Sequence, residues 1–152
     1  MSKIRVDIHR DFACSCDELF CFLSEHESLG KLFAPAARFK RLSDGLTGRN
    51  TVGSAREITV LGVVKFVETY TKVEPGQCLE YTVSGRAPIK NHLSVMSITP
   101  THQGCALRYT SSYDGRFPLA AFFITPGLRW VMQFGFHRLV KIMANARGSV
   151  GA

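Results

Sequence analysis

The sequence predicts an α+β fold in which a curved antiparallel sheet carries a long C-terminal helix, with two short helices after the first strand. Three observations carry this expectation. Alternating apolar and polar residues recur in short segments from Ile4 to Asp114, separated by turn residues. Beyond Phe117 the apolar period changes from two to that of a helix. No strand–helix–strand repeat occurs between these parts, which argues against a parallel sheet.

The first strand is read at 3–11, with Ile4, Val6 and Ile8 on one face and Arg5, Asp7 and His9 on the other. Ser15-Cys16-Asp17-Glu18 is a capping box, in which serine and glutamate each satisfy an amide of the other's end of the turn. The helix it starts places Cys16, Leu19, Phe20 and Leu23 on one stripe. A second short helix is expected over 26–32 and a strand over 37–43, ended by SDG. GSAREITV and KFVETYTKV then meet at a turn near Gly62. Pro75-Gly76 presets the next turn, because proline fixes φ and glycine accepts positive φ. CLEYTVSG, a break at Pro88, NHLSVMSIT, the PTHQG turn and ALRYTSSYDG complete the meander. Pro126 suits a helix start. Leu128, Met132, Gly135, Leu139, Ile142 and Ala146 follow at helical spacing, and Gly148 can end the element.

A chain of 152 residues with 45% hydrophobic and 20% charged content fits one folded domain over 1–152. No apolar run reaches the roughly 20 residues that span a bilayer, so no integral membrane contact is expected. MSKIRVDIHRDF lacks the apolar core of a secretory signal. The 5 cysteines then read as reduced thiols, and the expected location is cytoplasmic. Cys14, Cys16 and Cys21 lie close in sequence, but Cys16 and Cys21 point about 140° apart on a helix. Cys78 and Cys105 are isolated in the sequence, so no metal site is expected. The net charge of +7 suits an anionic partner. Its basic residues are dispersed, however, and the aromatics fall on core phases, so nucleic acid is not expected.

VGSAREITV, KFVETYTKVEPGQCLEYTV and SVMSITPTHQGCALRYTSSYDG resemble the SRPBCC superfamily. Within it the chain is similar to the polyketide cyclase/dehydrase and lipid-transport-like group, over Ile4 to about Ala146. The resemblance implies the helix-grip (START-like) fold and a deep cavity between sheet and helix for a small hydrophobic or aromatic ligand. It brings no shared catalytic motif, and no cofactor is expected.

Turn positions set the strand register, and register sets the faces. Centring hairpins on Gly62 and on Pro75-Gly76 places Arg56 opposite Glu68, Ile58 opposite Phe66, Glu68 opposite Val83 and Tyr70 opposite Tyr81. The PTHQG turn places Ile98 opposite Leu107, Met96 opposite Tyr109, Ser94 opposite Ser111 and His92 opposite Tyr113. The candidate ligand-binding residues are therefore Arg56, Ile58, Phe66, Glu68, Tyr70, Tyr81, His92, Met96, Tyr109 and Tyr113 on the sheet, with Met132 and Leu139 on the helix. Apolar walls with a few oriented polar groups are what a small-molecule site needs. Structural roles compete: Arg56–Glu68 as an ion pair, Tyr70–Tyr81 as a packing pair, His92 as an ordinary strand residue.

Three functions fit these residues. The first is a carrier or binding protein for a small hydrophobic ligand. The second is a cyclase or dehydratase using the same cavity, with His92 or Glu68 as catalytic candidates, since such chemistry needs a shaped pocket and a proton-moving pair. The third is a protein-interaction module or homodimer that uses the apolar Phe122, Phe123 and Trp130 patch.

Overall fold

A computed structural model describes residues 2–150. The chain runs β1 (Ile4–Phe12), α1 (Cys16–Ser24), α2 (His26–Phe33), β2 (Ala37–Ser43), β3 (Ala55–Val60), β4 (Val64–Glu74), β5 (Cys78–Gly85), β6 (Ile89–Thr101), β7 (Gly104–Gly115) and α3 (Ala120–Val150). The strands form one antiparallel sheet in the order β1-β7-β6-β5-β4-β3-β2. Every neighbour but one is a sequence neighbour; the exception brings the last strand back beside the first. β1 and β2 thus become the two edges, and α1 and α2 carry the chain between them.

The capping box forms as expected. Ser15 Oγ accepts from the Glu18 amide at 3.1 Å, and Glu18 accepts from the Ser15 amide at 2.8 Å. Leu19 and Leu23 are buried beneath α1. On β1, Ile4 departs from the expected face: a register shift between Ile4 and Val6 leaves it exposed while Val6 and Ile8 join the core.

The β4–β5 hairpin has the expected faces by a different route. A loop of Pro75, Gly76 and Gln77 separates Glu74 from Cys78, closed by the Gln77 amide on the Glu74 carbonyl at 3.0 Å. That loop is one residue longer than a two-residue turn, so Lys72 pairs with Glu80 and Val73 with Leu79. A register shift between Tyr70 and Lys72 then compensates, and Tyr70 again faces Tyr81. Ile98–Leu107, Met96–Tyr109 and Ser94–Ser111 pair as expected. A further irregularity between Lys90 and Leu93, with Asn91 at φ 53°, puts Asn91 and His92 against Tyr113.

α3 departs from the expected boundaries. It begins at Ala120, so Pro126 lies inside it, and it continues past Gly148 to Val150. Ala120 and Ala121 are strong helix formers and start the helix without needing proline. The buried stripe is Met132, Phe136, Leu139 and Met143, whereas Ile142 and Ala146 are exposed. The buried positions step by four, three and four residues, the spacing that keeps one face of a helix of 3.6 residues per turn inward. Gly135 marks the closest approach of α3 to α2: a Cβ there would lie 2.8 Å from Phe33 Cζ. Arg138 adds a second tie, donating to the Leu32 and Ala34 carbonyls at the end of α2, at 2.9 and 3.1 Å.

Gly135→Ala should therefore destabilise the fold by about 1–3 kcal/mol through overpacking against Phe33, despite alanine's higher helix propensity. Urea denaturation checks this; an unchanged or raised midpoint would disprove the close approach.

Candidate functional site

The face of the sheet turned toward the helices carries two buried polar groupings. The first is built on β3 and β4. Arg56 is 2% exposed, and Glu68 faces it across the ladder. Arg56 Nε donates to Glu68 Oε2 at 2.8 Å, and Nη2 approaches the same oxygen at 2.6 Å. Arg56 Nη1 also donates to the Tyr70 hydroxyl at 3.1 Å, which itself donates to the Ser24 carbonyl at 2.8 Å. The rings of Phe39, Tyr70 and Tyr81 surround the guanidinium at 5.1, 5.4 and 5.4 Å. Burial pushes the Glu68 carboxyl up from its usual range, and the guanidinium opposes that shift. Burial also raises the Tyr70 phenol to about 12.

The second grouping lies on β6 and β7. Ser94 Oγ is 2.9 Å from His92 Nε2, 3.0 Å from Ser111 Oγ and 3.2 Å from the Tyr109 hydroxyl. Ser111 Oγ also lies 3.3 Å from His92 Nε2. His92 Nδ1 is buried without a hydrogen-bond partner. The imidazole sits between the Tyr81 ring at 5.8 Å and the Tyr113 ring at 6.4 Å, so Tyr81 borders both groupings. The Tyr113 hydroxyl reaches Thr125 Oγ1 of α3 at 2.7 Å. Burial lowers His92 to about 4, which keeps it neutral near pH 7.

Ile58, Met96, Met132 and Leu139 are buried, and Phe66 is half-buried opposite Ile58. Phe136 meets the Tyr109 ring edge-on at 5.6 Å, which joins α3 to the sheet. The buried ones belong to one apolar cluster, with Phe66 packed against it. Two hollows open elsewhere. One of about 940 Å³ lies beside α1 and the C-terminal half of α3, bordered by Asp17, Cys21, Phe22 and Arg147. The other, about 510 Å³, lies between Ile4 and Arg5 and the start of α3. None of the expected ligand-binding residues borders either hollow.

Sequence reasoning missed Phe39, Ser24 and His26 around the first grouping. His26 is 1% exposed, meets the Tyr70 ring edge-on at 4.9 Å and leaves its Nδ1 unpartnered. Its spacing to Leu29 and Phe33, both buried, was the available signal. Ser94 and Ser111 were paired correctly but not counted as site residues, although two serines facing each other on an aromatic face are a polar signal. Cys105 is not isolated in space: its Sγ lies 3.9 Å from that of Cys14.

Two measurements test these assignments. Glu68→Gln should cost about 3–5 kcal/mol, because it strands the buried guanidinium, while adding Arg56→Met should recover most of that loss. Denaturation of both variants checks it, and an additive loss in the double variant would refute the coupling. The second concerns pH. Burial, helped by the Arg56 and Arg41 charges, holds His26 at about 3, below the ordinary 6.5. The unfolded chain therefore binds protons that the folded chain refuses from about pH 6.5 down to about 4. Stability is complete above that window and should fall by about 1.4 kcal/mol per pH unit for each histidine on acidification. His92→Phe should reduce the slope; an unchanged slope in that variant would remove His92 from the account.

A family model described as polyketide cyclase / dehydrase and lipid transport matches residues 3–144. No curated protein matches the sequence. Among solved structures, a protein from Mesorhizobium loti is 17% identical with a TM-score of 0.72, over 92% of this chain and 96% of that one. A protein from Chromobacterium violaceum is 15% identical with a TM-score of 0.70, over 91% and 96%. Norcoclaurine synthase from Thalictrum flavum, in complex with dopamine and hydroxybenzaldehyde, is 16% identical with a TM-score of 0.67, over 92% and 87%. The match spans most of the chain and agrees with the helix-grip architecture: the chain belongs to the polyketide cyclase/dehydrase and lipid-transport family of the SRPBCC superfamily.

Proposed function

We propose that this protein binds a small hydrophobic or aromatic molecule between the sheet and α3, oriented by the His92–Ser94–Ser111–Tyr109 grouping. The observation that carries this reading is the unpartnered His92 Nδ1 inside an aromatic interior. A buried polar atom without a partner costs about 1–3 kcal/mol, and a ligand hydroxyl or carbonyl group removes that cost. The surrounding Tyr81, Tyr109 and Tyr113 rings supply aromatic contact on either side. Met96 and Met132 are flexible side chains in the wall that can adapt to the ligand's shape. The family description includes lipid transport, and the Thalictrum neighbour holds two aromatic molecules; both support the same ligand class here.

A cyclase or dehydratase acting in the same space is the second reading, favoured by the 2.9 Å contact between His92 and Ser94. A general base works best with its pKa near the working pH, and His92 lies at about 4. Glu68 is bound by Arg56 rather than directed at a free space. Orientation of a ligand is therefore the better reading of these groups.

Native mass spectrometry of gently purified protein, with extraction of anything bound, tests the proposal. A stoichiometric small hydrophobe is expected, and His92→Leu should weaken its binding by roughly tenfold, the equivalent of one hydrogen bond. A protein that carries nothing and gains no thermal stability from lipid, quinone or aromatic-polyketide probes would overturn it. Turnover of such a compound, lost in His92→Leu, would favour the enzyme.

A further inference from the structure

The outer face of α3 is chemically unlike a solvated helix back. Phe123, Trp130 and Phe134 lie on one stripe, directly opposite the buried stripe of Met132, Phe136 and Leu139. Phe123 is 72% exposed and Trp130 65% exposed, and Trp130 stacks on Phe134 at 5.6 Å. Just before the helix, Phe117 and Leu119 are also exposed. Single exposed apolar residues are ordinary, but an aromatic run along one helix face is a docking surface.

Charge identifies what it docks to. No Asp or Glu occurs after Asp114, while Arg116, Arg129, Arg138, Lys141 and Arg147 all do. Lys141 is exposed on the line of the aromatic stripe and Arg138 lies over the Phe134 ring at 5.5 Å, whereas Arg129 points about 120° away from it and donates to the Arg5 carbonyl at 3.2 Å. The acidic residues Glu25, Glu27 and Asp44 sit at the other end of the sheet, where Arg41 and Arg49 bind them. The β3–β4 turn, at the same end of the sheet as the start of α3, adds exposed Leu61 and Val63 with Lys65 next to them.

We propose that this face docks the protein on an anionic lipid surface, with the rings at headgroup depth and the cations on lipid phosphate and carboxylate. Tryptophan and phenylalanine on one side of a helix with arginine and lysine beside them are the pattern of interfacial helices, and indole favours the polar–apolar boundary. A second copy of the chain fits worse: a symmetric contact through this stripe would cover Arg138 and Lys141 of each copy with a helix that carries no carboxylate to pair them. The docking is peripheral, since no helix of the described residues is long and apolar enough to cross a membrane. It stands independently of whether the interior takes a ligand.

Trp130 is the only tryptophan, which makes its emission a direct report on this face. The full chain is titrated with vesicles of phosphatidylcholine alone and of phosphatidylcholine with phosphatidylserine. A blue shift, quenched by brominated lipid, is expected on the anionic vesicles and should weaken as salt is raised. Lys141→Gln should weaken binding about fivefold, and Phe123→Ser should weaken it at unchanged helix content by circular dichroism. No shift on either vesicle overturns the proposal. Equal shifts on both overturn its anionic part, and a shift that follows protein concentration without vesicles assigns the face to a second copy instead.

Discussion

A guanidinium buried on the concave face of the sheet is the constraint around which much of the interior is arranged. Removing Arg56 from water is costly, and that cost is met only when its donors and charge are matched together. Glu68 takes the charge, the Tyr70 hydroxyl takes a donor, and the Phe39, Tyr70 and Tyr81 rings take the cation's faces. The partners come from three strands: Phe39 from β2, Glu68 and Tyr70 from β4, and Tyr81 from β5. β2, β3, β4 and β5 must hold their register for all of them to arrive, and Tyr70 passes the constraint on to α1 through the Ser24 carbonyl. A slip of one residue in any of these strands would turn its partner to the other face.

The second polar grouping has a different character. Arg56 has its hydrogen bonds filled by protein groups, whereas His92 shares one nitrogen with two serines and leaves the other unpartnered. On the proposed reading, the free nitrogen of His92 is polar capacity held for a ligand. Both groupings share Tyr81 as a wall, so a molecule lodged against His92 would also touch the frame that Arg56 stabilises.

α3 works on two faces at once. Its inner stripe closes the interior through Phe136 on Tyr109 and through the Gly135 contact with Phe33. Its outer stripe presents aromatic rings and cations to the surroundings. The helix is about 46 Å long at 1.5 Å per residue, and its N-terminal half carries most of the exposed rings. Pro126 falls in that half and is exposed there; having no N–H, it removes one hydrogen bond from the helix ladder.

Much of the architecture was legible in the residues themselves. Alternation marked the strands, the Ser15–Glu18 box marked α1, and the turns at Gly62 and PTHQG set the pairing of Arg56 with Glu68 and Ser94 with Ser111, because turn geometry and side-chain alternation act over a few residues. What tertiary structure decided are the things set by distant chain. A longer loop at Pro75-Gly76-Gln77 is cancelled by an irregularity beyond Tyr70, and no local pattern announces that compensation. Burial of His26 beside Tyr70 and the approach of Cys105 to Cys14 likewise depend on elements far apart in sequence. Local sequence determines which faces are apolar; only the folded chain determines which polar atoms on those faces find partners, because partners are supplied by whichever strand or helix the packing brings opposite.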